Sequence, residues 1–580
     1  MTKKHEKTKK DIKEICLIIL FFIGIFLSVV WSFSNKITTI PIEYQFGLIQ
    51  TLPLIFWIGI ILAFISLILG LKSDSEKAFF IKIGLFAFIV WNLPQIYENN
   101  PNTWDSFLHF DNSLRVTGIL HDNYWDQYFH EYPGFFVFGF LLYKISNLDP
   151  LLFLRYYPLF ASVLTFIALW LFFKRFTSKE YFRYSLIFGI FLNVWLDFHY
   201  SPQSFGMIIA LLLAVCLSID KKEYKIIGLL LGVLLIVSHP TNFILVIGIF
   251  TTYEILKFFR NMLLSKKVRI NKIVFVLLLL YLCWTLVWAT HSVHYLFSKL
   301  SLSASIVESG NLFDALGAAN KEILSKHIQT TTPIPDIIKP PTSTANLSES
   351  TNVPEETLLT SSVNYLTLVS KIRFAVLILL AAVCFTYFAI LLLKKANWEQ
   401  DALLFKISWV LFLGVTLVVL QIGGRLNFRD RIFLYFMLIA PVILIEALNM
   451  LPGKFRAGLI YRLLIFVLFS VAFVVFLSQH YLTSLYILSD MQYKTSVISL
   501  LNIEYSDLPT QYRTLRFIDK EIHSVARPLT KQVHNYVIFD TNQRNWYLKW
   551  RSARTFSLAR NYANLNYDKI YSNDITEIYS

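Results

Sequence analysis

The chain is poor in charge. Asp, Glu, Lys and Arg together make up 16% of its 580 residues, against the roughly 25% usual for soluble domains. A soluble fold with 56% hydrophobic residues would have too few polar side chains to cover its core. Acidic residues are the scarcer sign, 38 against 53 basic. The net charge of +15 does not point to a nucleic-acid partner, because the basic residues sit in short loops between apolar blocks and not on one soluble face. Cysteine is nearly absent. Cys16, Cys216, Cys283 and Cys384 all fall inside apolar blocks, which leaves neither a disulfide framework nor a zinc-ligand spacing. Each reads as a small buried hydrophobe.

What the sequence has in quantity is long apolar runs. Blocks near 20 residues match a hydrocarbon core of roughly 30 Å. They predict an all-α polytopic membrane protein of about 13 spans, near 15–34, 49–71, 78–97, 153–173, 184–199, 204–219, 225–238, 241–258, 273–290, 372–393, 402–420, 432–448 and 461–480. The N-terminal MTKKHEKTKKDIKE precedes a long apolar run with no small-residue cleavage site. It reads as a retained signal anchor with its N-terminus in the cytoplasm. Loops 72–77, 174–183, 220–225, 257–272, 394–401 and 452–462 then lie inside, and every one carries Lys or Arg, as the positive-inside rule requires. FFVFGFLLYKI, from Phe135, is too short to cross and would invert every later loop, so it reads as an interfacial helix.

This assignment divides the chain into five parts. Residues 1–77 hold the N-terminal tail and two extra spans; 78–290 form a membrane core with an outer loop at 98–152. Residues 291–371 form a second outer loop, rich in Pro, Ser and Thr near 330–356. Residues 372–481 carry the last spans, and 482–580 a small extracytoplasmic α/β domain. In that tail, YVIFD reads as a strand and YDKIYSNDITEIYS as a hairpin turning at Asn573-Asp574. The sequon at Asn346 lies outside, as a glycan acceptor should.

Polar groups converge on the outer side. The first outer loop interleaves Asp105, Asp111, Asp122, Asp126 and Glu131 with His109, His121, His130 and several Trp and Tyr. Carboxylates accept from hydroxyls and ring faces cover apolar ring surfaces, a combination suited to a sugar. Asp105 lies just beyond the third span, near the membrane surface. Asp105 and His109 are four apart and share a helical face. They could be a base and its orienting partner, two ligands of a divalent cation such as Mg or Mn, or a surface pair. DFHYSPQSFG places Asp197, His199, Tyr200 and Gln203 in one turn, with Ser201 as N-cap and Pro202 at the first helical position. VSHPTN repeats the device at His239 and Pro240. The third outer loop, QIGGRLNFRDR, carries Arg425, Arg429 and Arg431 against the single Asp430. Arginines in a short outer loop break the positive-inside pattern, and their donor fork suits phosphate.

From about residue 79 to 290, and more weakly to 480, the pattern resembles the GT-C glycosyltransferases. Those polytopic enzymes take a sugar from a polyprenyl-phosphate carrier. The resemblance rests on Tyr132-Pro133-Gly134 opening an interfacial helix, on Arg155-Tyr156-Tyr157-Pro158 opening the next span, and on Asp105 at the position of the family's essential acid. YSPQ and SHPTN resemble turns of an uncharacterised membrane branch common in archaea. The chain departs from the family in its two extra N-terminal spans, in having Ser106 after Asp105, and in lacking a Trp-Trp-Asp motif. The resemblance implies inverting transfer from a polyprenyl (dolichyl-type) phosphate sugar to a glycan, lipid or protein acceptor at the outer face of the cell membrane. Asp105 would be the catalytic base. Arg425, Arg429 and Arg431 would hold the phosphate, and His109, Asp126, Glu131, Tyr200, Gln203 and His239 would line the substrate site. A transporter or flippase of a lipid-linked or anionic substrate, or a non-catalytic envelope assembly protein, are the competing readings.

Overall fold

The computed structural model describes residues 2–34, 52–97, 104–118, 127–193, 196–289, 378–391, 401–422 and 429–450, with gaps of up to three residues inside some of these stretches, together with Leu468 and three short segments between 537 and 579. The described residues before 537 are overwhelmingly helical. The helices are α1 (Thr2–Ser34), α2 (Leu54–Gly70), α3 (Glu76–Trp91), α4 (Leu93–Tyr97), α5 (Trp104–Val116), α6 (Gln127–Glu131), α7 (Gly134–Ser146) and α8 (Pro150–Phe176). They continue as α9 (Phe182–Leu192), α10 (Pro202–Leu217), α11 (Lys222–Ser238), α12 (Pro240–Leu263) and α13 (Lys272–Val287). Beyond these lie α14 (Ile378–Ala389), α15 (Asp401–Ile422) and α16 (Arg429–Asn449).

A helix lies at twelve of the thirteen expected spans; the last, 461–480, falls outside the described residues apart from Leu468. Among the described residues, five helical stretches are long and apolar enough to cross a membrane: Ile12–Val30, Leu152–Phe176, Pro240–Leu263, Asp401–Val419 and Arg431–Leu448. The remaining helices are shorter. Large apolar side chains such as Phe160, Leu230, Leu279 and Leu286 are exposed on the outside of the bundle, as expected of a helical membrane protein. The short apolar run after Pro133 is indeed one 13-residue helix, α7. It rises only about 20 Å at 1.5 Å per residue, and buries Phe135, Phe136, Gly139 and Tyr143 along one face.

Cross-helix contacts such as Leu17 with Ser66, Ser66 with Lys82, and Arg260 with Asp401 give the bundle two ends, and their chemistry differs. At one end the basic loops meet acidic and carbonyl partners. Lys82 reaches Asp74 at 2.8 Å and the Ser66 carbonyl at 3.0 Å, fully buried. Arg183 donates to the carbonyls of Leu71 and Asp74 at 2.7 and 2.9 Å. Lys174 pairs with Glu76, Arg260 with Asp401, and Lys406 with Glu446. Loops 72–77, 174–183, 257–272 and the start of α15, expected to share a side, therefore do share an end. The two N-terminal helices are part of this packing. Gly24 and Gly59 bring α1 and α2 into backbone contact, since a Cβ on either would lie 2.4–2.6 Å from the other helix's main chain; small residues permit such an approach between membrane helices.

Near the C-terminus, β1 (Val537–Asp540), β2 (Lys569–Ser572) and β3 (Thr576–Tyr579) form an antiparallel sheet in the order β1-β3-β2. The expected YVIFD strand and the hairpin around Asn573-Asp574 are both represented, with Ser572 paired to Glu577. The rest of the expected α/β domain lies outside the described residues.

Candidate functional site

The second end of the bundle collects most of the polar residues singled out in the sequence. Its frame is a set of helix starts. Ser201 caps α10, accepting from the Ser204 amide at 3.1 Å with Pro202 at the first helical position. His239 caps α12 in the same way: Nδ1 accepts from the Asn242 amide at 3.1 Å, ahead of Pro240. These two junctions touch. The Asn242 amide side chain donates to the Gln203 carbonyl at 3.4 Å. Arg431, in the first turn of α16, donates to Thr241 Oγ1 at 2.9 Å.

α5 closes the site from the other side. The His109 ring stacks on His199 with centroids 6.1 Å apart, and is surrounded by Phe129, Phe135 and Phe136. One turn further, Ser113 shares a 2.7 Å hydrogen bond with the Tyr200 hydroxyl. Tyr200 is fully buried, packed against Phe135 at 4.8 Å and Tyr157 at 5.0 Å. Gly139 of α7 leaves room for it, because a Cβ there would sit 2.1 Å from the Tyr200 oxygen. Tyr200 is thus a brace that fixes α5, α7 and α8 together, with its phenol pushed upward in pKa by burial. Glu131, at the end of α6, is also buried, and its carbonyl accepts from Trp284 Nε1 at 3.1 Å, which fastens α6 to α13.

His239 is the electrostatic centre of this arrangement. Burial, then the Arg431 guanidinium, holds its imidazole well below the usual histidine range, and His109 adds to the same effect. A neutral ring is also what its capping role demands, since Nδ1 must be bare to accept. His109, His239 and Arg431 therefore lie within electrostatic reach of one another, although α5, α12 and α16 are far apart in sequence.

Asp105 lies in α5 one turn before His109, and Arg429 opens α16 two residues before Arg431; the side chains of both are outside the described residues. Asp126, Arg425 and Asn346 lie outside them altogether. The helices that carry Asp105 and Arg429 both reach His239 electrostatically, through His109 and Arg431. Gln203 contributes its carbonyl, and its side chain is half-buried. Among the described residues, no three His, Cys, Asp or Glu side chains are placed to share a metal ion; the Asp105 carboxylate, considered with His109 as a ligand of a Mg or Mn ion, lies outside them. Ser113, Thr241 and Trp284 complete the frame without having been foreseen. Ser113 left a trace in the sequence as the residue one helical turn after His109, and Thr241 as a member of the SHPTN turn. No family model matches the chain, and no curated protein matches it.

Proposed function

We propose that the chain is a membrane glycosyltransferase of the GT-C type, moving a sugar from a polyprenyl-phosphate donor at the extracytoplasmic face. The observation that supports it is that His109 of α5 and Arg431 of α16 both act electrostatically on His239 at the start of α12. Asp105 precedes His109 by one turn on the same helix, and Arg429 precedes Arg431 by two residues. A base on one wall and guanidinium groups on the other is the arrangement such a transfer requires.

In this reading Asp105 takes the proton of an acceptor hydroxyl. The freed oxygen attacks the anomeric carbon from the face opposite the phosphate. The bond from that carbon to the phosphate oxygen breaks, and its electron pair leaves with the carrier phosphate, inverting the anomeric centre. Arg425, Arg429 and Arg431 hold the phosphate and offset the charge that develops on it. His239, kept neutral, adds no competing cation. No step is routed through a metal ion.

The test is transfer from a polyprenyl-phosphate hexose to a lipid-linked or peptide acceptor by the purified, reconstituted protein. Asp105→Asn should lower transfer by at least about 100-fold, the low end of a general base's contribution, with the melting temperature unchanged. Arg429→Ala should weaken donor binding by about tenfold or more, as expected for a charged hydrogen bond. Near-normal transfer by the Asp105→Asn protein would remove the mechanism.

A further inference from the structure

Among the buried polar atoms that no described residue satisfies are amide and indole atoms of six side chains in this part of the bundle. They are Trp91 Nε1, Asn92 Oδ1, both amide atoms of Gln95, Asn112 Nδ2, Asn193 Oδ1 and Asn242 Oδ1. None of the six residues is more than 4% exposed. Burying such a group without a partner costs its full desolvation, so native proteins rarely leave one, and six together call for an explanation.

Their placement follows the site already described. Trp91 packs on Phe198 with centroids 4.8 Å apart, and Phe198 precedes His199. Gln95 lies one helical turn beyond Trp91. Asn112 lies one turn beyond His109 on α5. Three of the amides are pinned by their nitrogen, leaving the oxygen over. Asn92 donates to Ser162 Oγ at 2.7 Å, Asn193 to the Leu434 carbonyl at 3.2 Å, and Asn242 to the Gln203 carbonyl at 3.4 Å. Held amides of this kind are preorganised for a ligand.

The chemistry of the set is specific. It offers donors from an indole and from amide nitrogens, and acceptors from amide oxygens, and none of the six groups is charged. A hydroxyl both donates and accepts, so a ring bearing several hydroxyls is the ligand that matches mixed neutral donors and acceptors. A carboxylate or phosphate, which only accepts, would leave the amide oxygens opposed. We infer that these groups are held for the hydroxyls of a neutral sugar ring, and that Trp91, Gln95 and Asn112 determine which sugar the protein accepts. The inference rests on the transferase reading for the fate of the sugar, but not for its binding.

The competing explanation is buried water bridging the six groups. Water that satisfies a core is structural, and replacing its partners destabilises the fold. Groups reserved for a ligand behave oppositely: an apolar replacement of similar shape leaves the free protein as stable or more so. The experiment uses the full-length protein in lipid nanodiscs free of glycoside detergent. The probes are octyl glucoside, octyl mannoside and octyl galactoside, with octyl glucuronide and octyl phosphate as anionic counterparts, read by tryptophan emission and thermal stabilisation. One neutral glycoside should bind at least about tenfold more tightly than either anionic probe, the discrimination that about 1.4 kcal/mol gives. Gln95→Leu and Asn112→Leu should each weaken it by a similar factor with an unchanged or raised melting temperature in the free protein, and Trp91→Phe should weaken it while keeping the aromatic packing. Binding of no neutral glycoside, wild-type affinity in the leucine variants, or lowered melting temperatures in both would overturn the proposal. Glycoside binding without any sugar transfer would keep it and discard the transferase; unchanged transfer and donor selection by the leucine variants would do the reverse.

Discussion

His239 accepts the Asn242 amide through Nδ1 at 3.1 Å, a bond that a protonated Nδ1 cannot make. Its imidazole titrates below the ordinary range because of burial and the nearby Arg431 guanidinium. In the unfolded chain the same ring titrates near 6.5. As pH falls, the unfolded state therefore takes up the proton first, and folding loses ground. The stabilisation is complete above about pH 6.5 and is lost progressively below it, toward the lower folded value. His239→Asn keeps an acceptor at the cap without a titrating group. The wild-type melting temperature should drop more than that of His239→Asn between about pH 7.5 and about pH 5.5. His239→Ala, which removes the acceptor, should cost about 1 kcal/mol at neutral pH. Equal acid sensitivity in wild type and the Asn variant would show that another group governs this limb.

Among the helices, the joint between α1, α2 and α3 makes the sharpest energetic statement. Lys82 and Asp74 are paired where neither side chain sees solvent, and Arg183 closes the loop from α9. Removing one member leaves an uncompensated buried charge, worth roughly 3–5 kcal/mol. Asp74→Leu alone should therefore lower the yield of folded protein and its melting temperature, and Lys82→Met should do the same. The double variant Lys82→Met with Asp74→Leu should recover most of the loss. A double variant as unstable as the singles would mean that the pair's geometry, and not its charge balance, holds the joint.

Much at this scale was legible in the sequence. Apolar periodicity and loop charge located the helices, and Ser201-Pro202 announced the start of α10 through a local rule. His239-Pro240 announced α12 equally well, although the ring's capping bond could not be read from its position. What stayed hidden are contacts between distant segments. Ser113 and Tyr200 are 87 apart in sequence, Arg431 and Thr241 are 190 apart, and no local pattern names such partners. The Gly24–Gly59 crossing was equally silent, because a glycine within an apolar run looks the same whether it faces lipid or another helix. The buried amides were invisible for a related reason: Gln95 reads as an ordinary polar residue at a span's edge, and Asn112 as one of an outer loop, until their burial is known.

At the scale of the whole molecule, orientation is the question that the two unlike ends pose. The ion-paired end gathers the basic loops, and the other end gathers His109, His239 and Arg431. The positive-inside rule assigns the first to the cytoplasm. In a background with Cys16, Cys216, Cys283 and Cys384 replaced, Asn123→Cys should react with a membrane-impermeant maleimide on intact cells, and Ser178→Cys only after the membrane is opened. The opposite pattern would put the candidate site on the cytoplasmic side and exclude a donor presented outside.

The lacing of one rim by Lys82, Arg183, Arg260 and Lys406 has a mechanical corollary. Helices joined at their feet by charge pairs cannot slide apart there without stranding ions, so that rim serves as a fulcrum. Tilting about it would spread the opposite tips like fingers from a closed palm, where ring contacts and hydrogen bonds, that of Arg431 to Thr241 among them, must yield. On the proposed transferase reading, a bulky prenyl tail would then slip in sideways between two tips, and the bundle would shut again behind it with its footing undisturbed.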